Sequence, residues 1–126
     1  MPRLSLDTNL PTLKIPNDFL SNSGKILSDT LGKGSKYCVT TVNAGLKMYV
    51  SSSNEPCGLV SVTSIGSIGP EENKKHITAI TDYVQQATGI PKNRLFVFFQ
   101  SNTPDSTGHL GTTFHQLYFV EKGVRL

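Results

Sequence analysis

The residue with the most chemical potential in this sequence is its second. Pro2 follows Met1, and a small second residue is what removal of an initiator methionine generally requires. A chain that then begins with proline presents a secondary amine; with Met1 attached, the same nitrogen is an amide with no basic lone pair. Such an amine becomes a general base if its pKa falls toward neutrality. Burial in an apolar pocket and a nearby cation both push it that way, because both disfavour the protonated form. On residue chemistry alone Pro2 also reads as a stiff, exposed terminus. Lys33, in Gly32-Lys33-Gly34, offers a cation, which a helix C-terminus also favours for purely structural reasons. Ser64-Ile65-Gly66 ends an apolar run, where backbone N–H groups leave the sheet ladder and become free to hold an anion; it also reads as an ordinary strand end.

Other catalytic signatures are missing. Gly66-Ser67-Ile68-Gly69 lacks the spacing of a P-loop or a dinucleotide-binding loop, so no cofactor is expected. His76, His109 and His115 share no ligand spacing with the cysteines, so no metal site is expected, and His76 is placed on the solvent side of a helix's first turn. No Ser nucleophile elbow occurs.

The elements that must position these residues follow from periodicity and punctuation. Leu4 and Leu6 alternate with polar neighbours in a short strand ending at Thr8-Asn9-Leu10-Pro11. Phe19, Leu20, Ile26, Leu27 and Leu31 are spaced as one helix face, capped by Asn17 or Asp18 and stopped by Gly32. Strands follow at 37–42 and, after a turn at Asn43-Ala44-Gly45, at 46–50. The second half repeats the plan: a strand over 59–65, a helix from Pro70 to a stop at Gly89 and Pro91 with a stripe of Ile77, Ile80, Val84 and Ala87, then a strand over 95–99. A shift of 57 positions lays Gly32 on Gly89, Leu20 on Ile77, Leu27 on Val84 and Val42 on Phe99; it lays Leu6 to Asn9 on Thr63 to Gly66. The chain is therefore read as α+β: duplicated β–α–β units forming a four-stranded sheet with two helices on one face. In that plan strands 1 and 3 are central, and Pro2, Lys33 and Ile65 approach one another. Extra strands at 46–50 and 117–120 are left to pair with neighbouring subunits.

At 126 residues and 13.7 kDa the chain is one domain. It buries about two-thirds of its unfolded surface, so neither metal nor disulfide is needed to hold a core. No stretch approaches the roughly 18 apolar residues of a membrane span. A net charge of +3, with Lys74-Lys75 the only adjacent basic pair, argues against nucleic acid. The N-terminus carries no signal-peptide h-region, so cytoplasmic synthesis is expected, with export by another route left open. Cys38 and Cys57 are expected to be reduced and mostly buried.

Taken together, Pro2, Asp7-Thr8-Asn9-Leu10-Pro11, Gly32-Lys33, Ser53-Asn54-Glu55-Pro56-Cys57, Ser64-Ile65-Gly66 with Gly69, and Asn93-Arg94 resemble the macrophage migration inhibitory factor family. Leu6 to Pro11 looks most like its D-dopachrome tautomerase branch. The likeness spans residues 2 to about 114, leaving 115–126 as a C-terminal extension, read as an inter-subunit edge strand. The resemblance implies a homotrimer with pockets between subunits, in which Pro2 is the base acting on a small aromatic keto acid or an aminochrome. Lys33 and the Ile65 N–H would bind the substrate carboxylate, with Ser64 beside them. It also implies a cell-surface receptor as partner, and secretion without a signal peptide.

Departures from the pattern matter. Phe96 stands where cytokine-type members carry a tyrosine hydroxyl reaching in from the adjacent subunit, and Phe98 where they carry an asparagine; neither ring donates a hydrogen bond. Both are expected to line a more apolar pocket. His109 takes the place of a tryptophan, and Cys57-Gly58-Leu59-Val60 keeps one thiol of a Cys-x-x-Cys. Arg3 either assists carboxylate binding or faces solvent. The alternative functions are a non-catalytic, secreted, cytokine-like receptor ligand with a vestigial pocket, and a ferredoxin-like nucleic-acid module, for which the expected RNP run is missing.

Overall fold

A computed structural model describes residues 1–120, with side chains to residue 118; the part of the expected extension at 121–126 lies outside the described residues. Four strands, β1 (Arg3–Thr8), β2 (Val39–Asn43), β3 (Gly58–Ser64) and β4 (Leu95–Ser101), form one mixed sheet in the order β2-β1-β3-β4. β1 and β3 are antiparallel at its centre; β2 and β4 flank them in parallel. Two helices, α1 (Phe19–Leu31) and α2 (Pro70–Thr88), supply the crossovers, and a short hairpin pairs β5 (Gly108–His109) with β6 (Thr112–Thr113). This is the α+β, duplicated β–α–β plan expected from the sequence.

Strand alternation divides the sheet into two faces. Leu4, Leu6, Val60, Val62 and Leu95 join Phe19, Leu27, Ile80, Val84 and Ile90 in the core between sheet and helices. On the opposite face the register sets three rows across all four strands: Val39-Arg3-Thr63-Gln100, Thr41-Ser5-Ser61-Phe98 and Asn43-Asp7-Leu59-Phe96. Both helices end where glycine adopts the left-handed conformation, Gly32 at φ 69° and Gly89 at φ 78°, as C-terminal stops require.

Several expectations need correction. β2 starts later than the sequence suggested because Ser35–Tyr37 winds as a 3-10 turn. No strand forms at 46–50. Ser51 and Ser52 take positive φ, and only an isolated bridge joins Val50 to Ser53. The strand expected at 117–120 is a π-helical turn, His115–Val120: Phe114 and Leu117 are buried three apart and Tyr118 stacks on Phe114 four apart, a helical spacing that an extended chain cannot satisfy. In α2 the buried face is His76, Ile80 and Val84. His76 is only 3% exposed and Ile77 is 41% exposed, the reverse of the expected placement.

The duplication is real, with a one-residue correction in the strands. The shift of 57 holds for the helices and outer strands: it lays Phe19 on His76 and Leu27 on Val84, all buried, and Leu20 on Ile77, exposed 40% and 41%. Between β1 and β3 the shift is 56, because Leu4 pairs with Thr40 as Val60 pairs with Val97. Leu6 therefore matches Val62 and not Thr63. A one-residue slip would have turned the strand's apolar set to the wrong face.

Gly58 tests the packing at the sealed end of the central strand pair. A Cβ there would meet Leu6 Cδ1 at 2.9 Å and Leu95 Cδ2 at 3.0 Å. Gly58→Ala should lower stability by about 1–3 kcal/mol through overpacking, measured by chemical denaturation; an unchanged midpoint would show that these side chains yield freely.

Candidate active site

The open end of the same strand pair holds the candidate site. The register that pairs Arg3 with Thr63 sets Pro2 opposite Ser64, both buried on the helix side. The Pro2 carbonyl accepts a hydrogen bond from the Val39 N–H at 2.9 Å, fixing the terminus against the start of β2. Lys33 lies just past the stop of α1. Its backbone is held there by Ser28, whose carbonyl accepts from the N–H groups of Gly32 and Lys33 at 2.9 and 3.2 Å and whose hydroxyl donates to the Lys33 carbonyl.

The α-amino group of Met1 is held below its ordinary value, first by burial and then by the Lys33 ammonium; Cys38 acts in the opposite sense. Burial pushes the Cys38 thiol up, and the amine pulls it back. The terminus, Lys33 and Cys38 thus share one electrostatic neighbourhood. The structure brings Pro2, Lys33, Ser64 and Ile65 to one end of the sheet.

Ile65 is buried, one residue beyond the last register pair of β3, Ser64 with Ser101. The loop that follows turns through Gly66 and Ser67 at positive φ. His76 pins it: the imidazole Nε2 donates to the Ser67 carbonyl at 2.6 Å, and Nδ1 meets the Thr30 hydroxyl at 2.9 Å. A side chain expected in solvent therefore ties the Ile65 loop to the last turn of α1, which carries Lys33. The repeat offered the signal, since the shift that matches the two helix stops lays His76 on Phe19.

Ser64 Oγ is buried and has no hydrogen-bond partner. Its repeat mate is Thr8, at the same shift of 56 that relates β1 to β3. Thr8 Oγ1 donates to the Cys57 carbonyl at 2.7 Å and accepts from the Leu10 N–H at 3.1 Å. The equivalent of Cys57 is Met1. A buried hydroxyl without a partner costs free energy, and this one sits at the strand position facing Pro2.

Phe96 and Phe98 are not brought to this cluster within the protomer. They lie on the opposite face of the sheet, 43% and 56% exposed. Phe96 pairs with Leu59, five residues along β3 from Ser64, or about 17 Å at the rise of a strand. Arg3 is also on that face, exposed beside Asp7, Ser61 and Gln100. Cys57 is buried and Cys38 half-buried, both as free thiols. Arg94, quoted above only within a motif, is buried and donates to four backbone carbonyls, those of Val50, Ser53, Glu55 and Pro56, at 2.9–3.1 Å. It fixes the loop from Val50 to Pro56, which begins at the last residue of the strand expected at 46–50. Among the described residues no three His, Cys, Asp or Glu side chains come together as metal ligands. No helix among them is long and apolar enough to cross a membrane.

A family model described as macrophage migration inhibitory factor matches residues 1–115. The chain is 32% identical to a macrophage migration inhibitory factor homolog of Trichinella spiralis over 114 residues, 90% of this chain and 100% of the relative. It is 31% identical to D-dopachrome decarboxylase-B of Xenopus laevis over 113 residues, 89% of this chain and 96% of the relative. The solved structure of the Trichinella spiralis factor superposes with a TM-score of 0.87 at 31% identity, covering 89% of this chain and 99% of that one. A Prochlorococcus marinus homologue superposes at 0.80 with 25% identity, covering 89% and 98%.

His76→Phe keeps a ring beside Phe99, which lies 6.1 Å away between centroids, but removes both nitrogens. It should cost about 1–3 kcal/mol in denaturant unfolding, the range for leaving a buried polar group unpaired, here the Thr30 hydroxyl, with the part-buried Ser67 carbonyl beside it. A variant as stable as the parent would show that the Ser67 carbonyl finds water instead.

Proposed function

The chain belongs to the macrophage migration inhibitory factor family, whose members are known as cytokines and tautomerases, and from that premise we propose that it is a keto–enol or dopachrome tautomerase. In this reading Met1 is removed and the Pro2 amine is the general base, acting on phenylpyruvate-like or D-dopachrome-like substrates. The observation that carries the reading is the depressed amine at the N-terminus, held down by burial and by Lys33. Loss of Met1 would move that amine one residue inward, to the fully buried Pro2.

The residues divide the work between binding and proton transfer. Lys33 and the Ile65 N–H take the substrate carboxylate, which sets the carbon beside the keto group against the Pro2 nitrogen. The amine accepts the proton from that carbon, the electron pair moves onto the carbonyl oxygen, and the proton returns at oxygen to complete the enol. Lys33 lowers the barrier because negative charge grows beside a fixed cation. Ser64, buried and unpartnered, offers a hydroxyl to the amine or to the bound acid. A homotrimer completes the site, with Phe96 and Phe98 of one copy meeting the pocket of the next. Their position on an open sheet face, far from their own Pro2, supports that assembly. Receptor signalling is extended to the chain on family membership alone.

Protein shown by intact mass to lack Met1 should turn over phenylpyruvate or D-dopachrome, and Pro2→Gly should lose at least about 100-fold in kcat, the low end for a general base. Processed protein without turnover would overturn the reading. Lys33→Gln gives a second test, of sign. Without the cation the protonated amine is less disfavoured, its pKa rises, and the acid limb of the kcat/KM profile should move to higher pH while KM for the acid increases. A limb that stays in place would separate Lys33 from the amine.

A further inference from the structure

The backbone fixes the direction of the Ile65 N–H. The Ser64 carbonyl, in the same peptide unit, accepts from the Asn102 N–H at 2.8 Å on the β4 side. A planar trans peptide sends its N–H the opposite way, and no cis bond occurs among the described residues. The Ile65 N–H therefore points toward β1, the strand on the other side of β3, at the end where Pro2 stands opposite Ser64.

The groups that hold this direction lie further along the loop. Ser67 takes φ 61°, a left-handed conformation that residues with a Cβ avoid, so the turn must be held from outside. Among the described residues two side chains, those of Asn73 and His76, bond to the loop between Ile65 and Gly69. Asn73 Oδ1 accepts from the Gly69 N–H at 3.3 Å, at the start of α2. His76 reaches the Ser67 carbonyl at 2.6 Å from a position only 3% exposed. A carbonyl can only accept, so Nε2 carries the proton, and the neutral ring takes the Thr30 hydroxyl at Nδ1, 2.9 Å away. Thr30 belongs to the last turn of α1, whose stop at Gly32 leads directly into Lys33. One imidazole thus ties the loop that carries the Ile65 N–H to the helix end that carries Lys33.

We propose that His76 is a positioning residue for carboxylate recognition, holding the Ile65 N–H and Lys33 together as one anion-binding pair. The link stands on the hydrogen bonds themselves; its effect on a substrate carboxylate rests on the tautomerase reading above. The imidazole touches no reacting atom in this role.

The experiment compares the processed full chain with His76→Phe, His76→Gln and Thr30→Val, each held below its own unfolding midpoint and shown to keep the parent's elution volume. The first readout needs no substrate: the NMR order parameters of the Ile65, Gly66 and Ser67 amides. They should lie near about 0.85 in the parent and fall below about 0.6 in His76→Phe. His76→Gln, whose amide N–H replaces Nε2 as donor, should restore them. The second readout is phenylpyruvate turnover. His76→Phe should raise KM at least about tenfold with kcat within about twofold, because the lost contact serves ground state and transition state alike. Partial unfolding would instead lower the apparent kcat at constant KM. Thr30→Val cuts only the tie to α1, so the loop should stay ordered while KM rises about threefold, the worth of a modest hydrogen bond. Ordered loop amides in His76→Phe overturn the proposal. A mobile loop with an unchanged KM overturns the role in carboxylate binding, and an unchanged KM in Thr30→Val overturns the coupling to Lys33. A parent inert toward phenylpyruvate defeats the tautomerase reading and the carboxylate role with it, while the order parameters still decide whether His76 holds the loop.

Discussion

The antiparallel pairing of β1 with β3 is the constraint on which the rest depends. It joins the two β–α–β units back to back, so that each central strand has a parallel partner outside it and both helices fall on one side. Because the pairing is antiparallel, the start of β1 meets the end of β3. The N-terminus, ordinarily the least ordered part of a chain, is thereby held between two strands and under the helix layer. A terminal amine gains a buried, low-dielectric setting only if the chain is built this way round.

The two ends of that strand pair are equivalent in geometry but filled differently. At one end Gly58 leaves room that Leu6, Leu95 and Ile90 occupy, and the Thr8 hydroxyl is fully bonded to neighbouring backbone. At the other, Pro2 faces Ser64, whose hydroxyl is left alone. The contrast separates packing from function within a single molecule: the repeat shows what a sealed end looks like, and the open end departs from it in an unsatisfied polar atom, an amine and a cation. The buried Arg94 and the half-buried Lys33 follow the same logic. Among the described residues Arg94 pairs with no carboxylate and is held by four carbonyl dipoles, a structural solution, whereas Lys33 presses on an amine and raises the cost of charging it.

Much of this was legible in the sequence because it is written in local punctuation. Gly32 and Gly89 stop helices by taking a conformation that other residues avoid, Pro70 opens α2, and the period-two alternation of β1 places Leu4 and Leu6. The errors arose where two periods compete. Ile77 looked like core because it is apolar, yet the helix turns it outward and buries His76, an assignment that only the match to Phe19 reveals. The strand shift of 56 against 57 hides in a single inserted loop residue. Residues 46–50 are apolar enough for a strand, but Arg94, distant in sequence, captures the Val50 carbonyl and those of Ser53, Glu55 and Pro56 beyond it. The strand expected at 117–120 gives way to the helical spacing of Phe114, Leu117 and Tyr118. Long-range capture and single-residue slips leave no local trace.

Within one protomer, the pocket's chemistry is weighted toward one end. In the proposed tautomerase reading, Lys33 and the Ile65 loop serve the anionic end of a substrate, and the amine serves the carbon beside it. Phe96 and Phe98 lie on the far face of the sheet, and strand geometry forbids them to cross it: a side chain on one face of β4 reaches the other only by a slip that would also turn out Leu95, which is buried. Their rings must therefore meet water or another molecule. In the homotrimer proposed above, that molecule is a second copy.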